Sequence, residues 1–391
     1  MRLLWGTVVV VAALAVAGAH EQSHEAPKEA LGSVVGVDIV EQGGLVDVLT
    51  AIGGASGPVL RHRRSKDGGQ TWTPERPVAM HGKGISNATR GLDPQIAAAG
   101  DRLFVVWTTP GQGMHGVGAL AVSRSMDGGT TWTSGPNPAD DGTERGHAFI
   151  DAIAEPDGAL TVVWLENRGT RGLQVSRSPD MGASWGPTRT IDGVTCECCW
   201  NELHLRAPGD LLVLYRDKDP RDMAIARTTN GGASWTRLST VGDFAWGIEA
   251  CPFTGGALAL TGPPAAPRLH SVVFSGAQGH EGVSYLSSTD LGRSWTPAVA
   301  LGEGHGQHAD MAVRGDSIVV VYDRADKASG QAVVMRRSDD AGKTWGPTTR
   351  LSSPKGRATF PRIVQARGRW LALWNERVAP GKPALEQRSL P

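Results

Sequence analysis

The sequence predicts an all-β protein, a β-propeller of four-stranded blades, with seven blades favoured and six as the alternative. Two observations predict this fold. One short motif recurs six times at a blade-sized interval, and short apolar segments alternate with glycine-rich turns along nearly the whole chain. The 52 Gly, 24 Pro and 13 Trp residues, with few long helix-forming stretches, agree with many short strands and tight turns.

The repeated motif combines a Ser or Thr, an Asp or Asn, a glycine and a closing tryptophan. Its six copies are SKDGGQTW (65–72), SMDGGTTW (125–132), SPDMGASW (178–185), TTNGGASW (228–235), STDLGRSW (288–295) and SDDAGKTW (338–345). The Asp or Asn can accept hydrogen bonds from N–H groups of its own turn, and glycine allows the positive φ of a tight hairpin. The tryptophan is expected to pack between neighbouring units. The motif therefore predicts a structural hairpin, not a catalytic site.

This pattern, S-x-D-x-G-x-[ST]-W, resembles the Asp-box or BNR repeat of the sialidase superfamily. The resemblance covers almost all of residues 32–391, which we take as a single sialidase-like propeller domain. The same box occurs in non-catalytic propellers, so it predicts fold far better than activity. The last unit ends near Pro391, after its third strand. We expect the segment from Leu31 to Val35 to supply the missing fourth strand and close the ring.

The N-terminus predicts export. Arg2 precedes an apolar run from Leu3 to Ala17, and Ala17-Gly18-Ala19 has the small-x-small form of a cleavage site. Residues 1–19 are therefore predicted to be a signal peptide cleaved near Ala19, and residues 20–31 a flexible lead-in. We expect a secreted or periplasmic monomer without a transmembrane segment. Lys+Arg and Asp+Glu both number 39, which does not favour nucleic acid.

Chemistry is predicted in the loops that lead into the inner strands, because these loops surround one mouth of the central channel. A glycan or other small ligand is the expected partner. The side chains predicted to bind it are Arg90, Arg145, Arg216, Arg357, Trp200, Trp246 and Asn201.

All four cysteines fall in two such loops. One interpretation is a disulfide from Cys251 to Cys198 or Cys199, since disulfides persist outside the cytoplasm. The other is a soft-metal site for copper or zinc, because thiolates favour Cu(I) and Zn(II). The predicted ligands are Cys196, Cys198, Cys199 and Cys251, with His147 and His308 as possible imidazole ligands.

The family resemblance implies three arginines on a substrate carboxylate, a tyrosine nucleophile activated by a glutamate, and an aspartate as acid/base. The sequence departs from this set, because Tyr215, Tyr285 and Tyr322, the three tyrosines of the chain, are not predicted at the mouth. A more general glycosidase needs only two carboxylates. The candidates are Glu202 with Glu249, and Asp151 and Asp310. The structural alternative is that these carboxylates pair with local arginines or backbone amides.

Three function classes follow from the sequence. The first is a glycan-binding or glycoside-hydrolase-like propeller, of exo-sialidase type if it is an enzyme. The second is a soft-metal-binding propeller, and the third is a protein-interaction scaffold. Glycan binding predicts an open mouth with exposed Trp200 and Trp246. Metal binding predicts cysteine sulfurs and an imidazole within coordination reach.

Overall fold

The computed structural model describes residues 32–86, 88–141, 146–166, 172–302, 306–378 and 381–390. They form seven antiparallel sheets, and the inner strand of each sheet contacts the inner strand of the next, the last contacting the first. The protein is therefore a seven-bladed β-propeller, which confirms the all-β fold and the favoured blade number. The predicted signal peptide and most of the lead-in lie outside the described residues.

The first three blades each have four strands in the order inner, second, third and outer. Their bounds are β1 Val34–Gln42, β2 Leu45–Ile52, β3 Val59–Ser65 and β4 Arg76–Pro77; β5 Gln95–Ala99, β6 Arg102–Pro110, β7 Val117–Ser125 and β8 Thr133–Ser134; β9 His147–Ala154, β10 Leu160–Glu166, β11 Leu173–Ser178 and β12 Arg189–Asp192. A single 3-10 turn, Met114–Gly116, precedes β7.

The remaining four blades follow the same order. Their strands are β13 Glu202–Ala207, β14 Asp210–Arg216, β15 Met223–Thr228 and β16 Thr236–Val241; β17 Gly256–Thr261, β18 Arg268–Ser275, β19 Gly282–Ser288 and β20 Val299–Ala300; β21 Gly306–Arg314, β22 Ser317–Asp326, β23 Gly330–Ser338 and β24 Thr349–Arg350; β25 Gly356–Ala366, β26 Arg369–Val378 and β27 Ala384–Leu390. No helix of the described part is long and apolar enough to cross a membrane.

The ring closes differently from the prediction. Within the described residues the seventh blade has three strands, and Val34 begins the inner strand of the first blade instead of extending the seventh. One backbone hydrogen bond, from Val34 N–H to the Pro383 carbonyl at 3.0 Å, joins the two blades here. Side chains of both blades, including Val37 and Leu373, pack in one apolar cluster. The blades are therefore held together by side-chain packing rather than by a shared sheet.

The Asp-boxes form the predicted hairpins. In the first blade, Gly69 N–H donates to Ser65 Oγ at 2.8 Å and Thr71 N–H donates to Asp67 Oδ1 at 2.8 Å. The other five boxes repeat this pair of bonds. Each box satisfies its own turn, so it has no hydrogen-bonding capacity to spare for catalysis.

The box tryptophans pack against the preceding blade, as predicted. The Trp185 ring meets Phe104 edge to face with centroids 5.7 Å apart, and Trp345 meets Tyr285 at 5.0 Å. The boxes also bond to the hairpins between inner and second strands, as in Gly128 N–H to the Asp101 carbonyl. Because strands alternate in direction, the starts of the inner strands lie at the opposite end of the channel. That opposite end is the mouth.

Candidate functional site

The inner strands bring one local pattern to the mouth. In four blades an aromatic residue or histidine lies two residues before a charged residue. In the other three blades glycine takes the place of the ring, at Gly36 and Gly91, or of the charged residue, at Gly255. The seven triplets are Gly36-Val37-Asp38, Gly91-Leu92-Asp93, Phe149-Ile150-Asp151, Trp200-Asn201-Glu202, Phe253-Thr254-Gly255, His308-Ala309-Asp310 and Phe360-Pro361-Arg362. The repeat therefore builds an aromatic layer over a charged layer.

Four residues of the aromatic layer have left-handed backbone. The φ angles are 54° at Phe149, 49° at Phe253, 49° at His308 and 56° at Phe360. Bulky residues rarely adopt this region, which costs on the order of 1–3 kcal/mol each. In three of these blades a β-bulge lies at the same point of the inner strand. Bulges of this kind re-aim side chains near functional sites.

The rings touch one another across the mouth. The His308 ring lies 4.6 Å from Phe360 and 5.6 Å from Trp200 between centroids, and Phe149 lies 6.1 Å from Phe253. The Arg90 guanidinium stacks over Trp200 at 4.5 Å. The rings therefore form two contacting groups, Trp200 with His308 and Phe360, and Phe149 with Phe253, which together come from five blades.

The charged layer contains five carboxyls and two guanidiniums that act on one another electrostatically. Its members are Asp38, Asp93, Asp151, Glu202, Asp310, Arg90 and Arg362. Burial raises the pKa of Asp38, Asp93 and Asp310 to about 6 each. Burial raises the pKa of Asp151 to about 8. With more acids than bases in one place, some of the carboxyls stay protonated near neutral pH.

Three of the aspartates connect neighbouring blades. Asp38 accepts the Ile96 N–H at 2.8 Å, Asp310 accepts the Ile363 N–H at 2.9 Å, and Asp151 accepts the Leu203 N–H. Each bond runs from the inner strand of one blade to the inner strand of the next. The structural alternative given above was that the candidate carboxylates pair with local arginines or backbone amides. Asp151 and Asp310 are paired with backbone amides in this way.

Glu202 differs from these aspartates. Within the described part of the chain no group donates a hydrogen bond to its carboxyl, which is only partly buried. Burial, followed by the charges of Asp151 and Asp310, raises the pKa of Glu202 well above its ordinary value. Burial and the neighbouring acids therefore favour the protonated form of Glu202, and no described group occupies its hydrogen-bonding capacity.

The two arginines also have donors to spare. Arg362 Nη2 lies 2.9 Å from Asp93 Oδ2 and 3.4 Å from Asp38 Oδ1. Arg90 Nη1 lies 3.7 Å from Asp93 Oδ2. The buried Nε atoms of Arg90 and Arg362 have no hydrogen-bond acceptor among the described residues. Buried donors normally have partners, so these two are exceptions within the charged layer.

The other predicted arginines do not join this site. Arg216 is buried between the fourth and fifth blades, where it donates to the carbonyls of Thr254, Arg221 and Phe274. Arg357 is exposed and donates to Gln331 on β23. Arg145 lies outside the described residues. The predicted four-arginine anion clamp is therefore replaced by Arg90 and Arg362.

The predicted aromatic platforms are not open. Trp200 is 4% exposed and Trp246 is 7% exposed, each lying against an arginine. Asn201 donates from Nδ2 to the Phe149 carbonyl at 2.8 Å, so it supports the aromatic layer from below. The expectation of exposed Trp200 and Trp246 was wrong. The partly exposed rings of the mouth belong to Phe253 and Phe360.

The carboxylate pair predicted from Glu202 and Glu249 does not form. Glu249 is exposed in the loop between β16 and β17, and no contact joins it to Glu202 in the described part. Asp151 and Asp310 are the acids whose charges act on Glu202. Glu202 is therefore grouped with these two predicted carboxyls instead.

The tyrosines are all engaged elsewhere. The hydroxyl of Tyr215 donates to Asp192 at 2.8 Å, that of Tyr322 donates to the Leu301 carbonyl at 2.9 Å, and Tyr285 lies against a box. All three side chains are buried. Since the chain has three tyrosines, no tyrosine nucleophile of the sialidase kind reaches the mouth.

The cysteines gather beside the mouth as free thiols. Cys196 Sγ lies 3.6 Å from Cys198 Sγ and 3.4 Å from Cys199 Sγ, and all three side chains are buried. Cys251 is exposed at the rim and interacts with Cys198. All four cysteines are free thiols in the structure, so the disulfide predicted from Cys251 to Cys198 or Cys199 is not shown.

The predicted imidazole ligands lie elsewhere. His147 faces the Gly118 carbonyl from Nδ1 at 3.2 Å and Asp141 from Nε2 at 3.1 Å. His308 Nδ1 contacts Asp323 at 2.8 Å, and its ring is part of the aromatic layer. Neither imidazole belongs to the group of sulfurs that lie within 4.8 Å of one another. The expectation of an imidazole within coordination reach was wrong.

Sequence reasoning missed Arg362, Asp38 and the aromatic layer. The signal was present, because an aromatic residue or histidine two positions before a charged residue recurs at the start of successive inner strands. Aligning the seven blades on these starts, instead of on the Asp-boxes, would have found it.

Comparisons with known proteins agree with the fold. No protein-family model matches the chain. A xyloglucanase from a Paenibacillus species is 24% identical over 196 residues, which are 45% of this chain and 18% of that protein. The chain thus spans less than a fifth of the length of this curated relative.

Solved structures resemble the whole domain at low identity. An ulvan lyase, a polysaccharide lyase solved with a glucuronate–sulfated rhamnose ligand, has a TM-score of 0.60 at 11% identity, covering 93% of this chain and 94% of that one. A Dyadobacter fermentans protein of unknown function has a TM-score of 0.53 at 15% identity, covering 92% and 98%. A Hadza microbial sialidase has a TM-score of 0.50 at 15% identity, covering 88% and 76%. The chain therefore shares the β-propeller fold of these structures.

Proposed function

We propose that this protein binds glycans at the channel mouth and hydrolyses a glycosidic bond there, with Glu202 as the proton donor. The observation that carries the proposal is the Glu202 carboxyl, which has no hydrogen-bond donor among the described residues and lies beneath a layer of aromatic rings. The similarity to a xyloglucanase, an ulvan lyase and a sialidase supports a glycan as the ligand.

Asp310 is the second carboxyl of the proposed pair. Its pKa of about 6 leaves it mostly ionised at neutral pH, whereas burial and the neighbouring acids raise the pKa of Glu202 well above its ordinary value. A glycosidase needs this division, with one carboxyl giving a proton to the leaving oxygen and the other stabilising positive charge or activating water. The N–H bonds from Met311 and Ile363 hold the Asp310 carboxylate in place for that role.

The charges favour a neutral glycan over a sialoside. At neutral pH the ionised Asp38, Asp93 and Asp310 outnumber the two arginines, so a carboxylate on the substrate would be repelled. The absence of a tyrosine at the mouth points the same way. Phe253 and Phe360, whose rings are partly exposed, offer apolar faces for a sugar ring.

The test is hydrolysis of a glycan panel by the full chain, its Glu202→Gln variant and its Glu249→Gln variant. The panel contains xyloglucan, other neutral β-glucans, ulvan and sialyllactose, and new reducing ends are measured by anion-exchange chromatography. We expect the parent to act on a neutral glycan and Glu202→Gln to lower kcat by about 10²–10⁴-fold. Glu249→Gln removes an exposed carboxyl of the same face and should change nothing.

Two further readouts separate catalysis from binding. Calorimetric affinity for the cleaved glycan should be retained in Glu202→Gln, because the amide keeps the shape of the carboxyl. The rate of the parent should fall as pH rises through the elevated pKa of Glu202, since only the protonated form donates. Equal rates for parent and Glu202→Gln would refute the acid role, and a preference for sialyllactose would refute the neutral substrate.

A further inference from the structure

The cysteine cluster joins two blades. Cys196, Cys198 and Cys199 lie in the loop that leads into β13, and Cys251 lies in the loop that leads into β17. Cys196 N–H donates to the Arg216 carbonyl at 2.9 Å, which ties this loop to the end of β14. The chain has four cysteines, and all of them are here. Three buried sulfurs therefore face one another from a loop that is anchored at both ends.

The distances between the three sulfurs are closer to those of thiolates that share one metal ion than to the length of a disulfide bond. A disulfide requires about 2.05 Å between sulfurs. Thiolates that bind one ion at about 2.3 Å lie roughly 3.8 to 4.0 Å apart, whether the arrangement is tetrahedral or trigonal. The observed separations of 3.4 and 3.6 Å are within a few tenths of an ångström of this range.

The surroundings of the sulfurs suit a negatively charged complex. Arg221 Nη1 donates to Cys196 Sγ at 3.1 Å, and the Arg216 charge acts on Cys199. A monovalent ion with three thiolates carries a charge of −2, which these two guanidiniums balance. The three buried sulfurs form the close group, while Cys251 is exposed and outside it.

We propose that Cys196, Cys198 and Cys199 bind one Cu(I) ion in a three-coordinate thiolate site, with Arg216 and Arg221 balancing its charge. Soft thiolate ligands select Cu(I), and a set of three sulfurs without an imidazole or carboxylate disfavours harder ions. The site adjoins the glycan site through Trp200 but shares no functional side chain with it, so the two proposals can fail separately.

The experiment titrates the reduced full chain with Cu(I), delivered anaerobically as its acetonitrile complex in competition with bicinchoninate. We expect one tightly bound equivalent and sulfur-only coordination at the copper X-ray absorption edge. Replacing a residue that only hydrogen-bonds to a metal ligand lowers metal affinity by about 10–100-fold. Cys199→Ser removes a proposed ligand itself, so it should lower the Cu(I) affinity by more than about 100-fold. Cys251→Ser is the matched control and should retain full affinity, as should Glu202→Gln.

A second measurement needs no variant. Alkylation by iodoacetamide, read by mass spectrometry, should modify Cys251 in both forms of the parent protein. Cys196, Cys198 and Cys199 should be protected when copper is bound and react on brief unfolding without it. Zinc bound in preference to Cu(I) with a requirement for Cys251, or a disulfide among these cysteines in protein isolated from its own compartment, would overturn the proposal.

Discussion

The channel aspartates should make the protein less stable as pH rises, and Asp151→Asn isolates one of them. Asp151 accepts the N–H groups of Ala152 and Leu203, and burial raises its pKa from 3.8 to about 8. The folded state therefore holds a proton that the unfolded chain releases near pH 4. The stability from this group is complete below pH 3.8 and is lost as pH rises through about 8.

The magnitude follows from the size of the shift. About four pKa units at about 1.4 kcal/mol each give an upper bound near 6 kcal/mol for the stability that depends on this proton. The slope is the sharper measure. Between pH 6 and 8 the parent should lose up to about 1.4 kcal/mol per pH unit through Asp151 alone, and Asp151→Asn should remove this loss.

The assay is urea unfolding, followed by tryptophan fluorescence at half-unit steps from pH 6 to 8. Asp127→Asn is the control, because Asp127 lies in an exposed Asp-box where N–H and O–H donors, Thr131 N–H foremost, lower its pKa to about 2. It is ionised in both states above pH 6, so its replacement should leave the slope unchanged. If the free energy of unfolding falls with pH at the same rate in the parent and in Asp151→Asn, the Asp151 carboxyl is not neutral in the folded protein and the reasoning is refuted.

Two further predictions concern stability at pH 7, measured by the same unfolding assay. Arg362→Gln should cost about 3–5 kcal/mol, because it removes the guanidinium that pairs with Asp38 and Asp93 and leaves Arg90 as the remaining cation beside these buried acids. The exposed Arg357→Gln should change stability by less than about 0.5 kcal/mol, and equal effects would contradict the assignment of Arg362 to the channel. Gly342→Ala should lower the free energy of unfolding clearly more than Gly315→Ala. Both glycines have positive φ, but only a Cβ added at Gly342 would meet another atom, Tyr285 Oη, at 2.2 Å. Equal losses of stability in the two variants would show that the hairpin moves to make room.

The blade architecture could be predicted because it depends on local chemistry. A box such as residues 65–72 satisfies its own turn through Ser65 and Asp67, so its eight residues determine a hairpin without help from distant parts of the chain. The central strands are continuous apolar runs, as in Leu160–Glu166, which are buried whatever the arrangement of their neighbours. Six regularly spaced copies then imply a ring of similar units.

Ring closure could not be predicted in the same way. The missing fourth strand suggested that the segment before Val34 would extend the seventh blade, but hydrogen bonds to a sheet edge are one of two ways to join blades. The apolar cluster that contains Val37 and Leu373 provides the other, and it depends on which apolar faces meet after folding. A strand count alone does not distinguish these solutions.

The candidate site was predicted in part, and the division has a physical cause. Asp151, Glu202 and Asp310 follow directly from their positions at the starts of inner strands. The exposure of Trp200 and the direction of Arg216 depend instead on contacts between blades, such as the stacking of Arg90 on Trp200 at 4.5 Å. The position of a residue in the sequence predicts which blade it belongs to and which end of the channel it lies near. The direction in which its side chain points depends instead on neighbours that are distant in the sequence, as Arg90 is from Trp200.

The two ends of the channel differ in how well their groups are satisfied. At the Asp-box end, serine and aspartate bond repeatedly within their own turns, and the pKa values of the box aspartates are lowered accordingly. At the mouth, Phe360 and His308 keep strained backbone, Glu202 has no donor and Arg362 retains a free buried Nε. A fold selected for stability alone would remove these features, for example by placing glycine at the left-handed positions as Gly91 does in the second blade. Left-handed non-glycine residues also occur in the Asp-boxes, at Met181, Leu291 and Ala341, so what sets the mouth apart is its group of buried carboxyls with raised pKa values, and this is the physical reason to look there for the ligand.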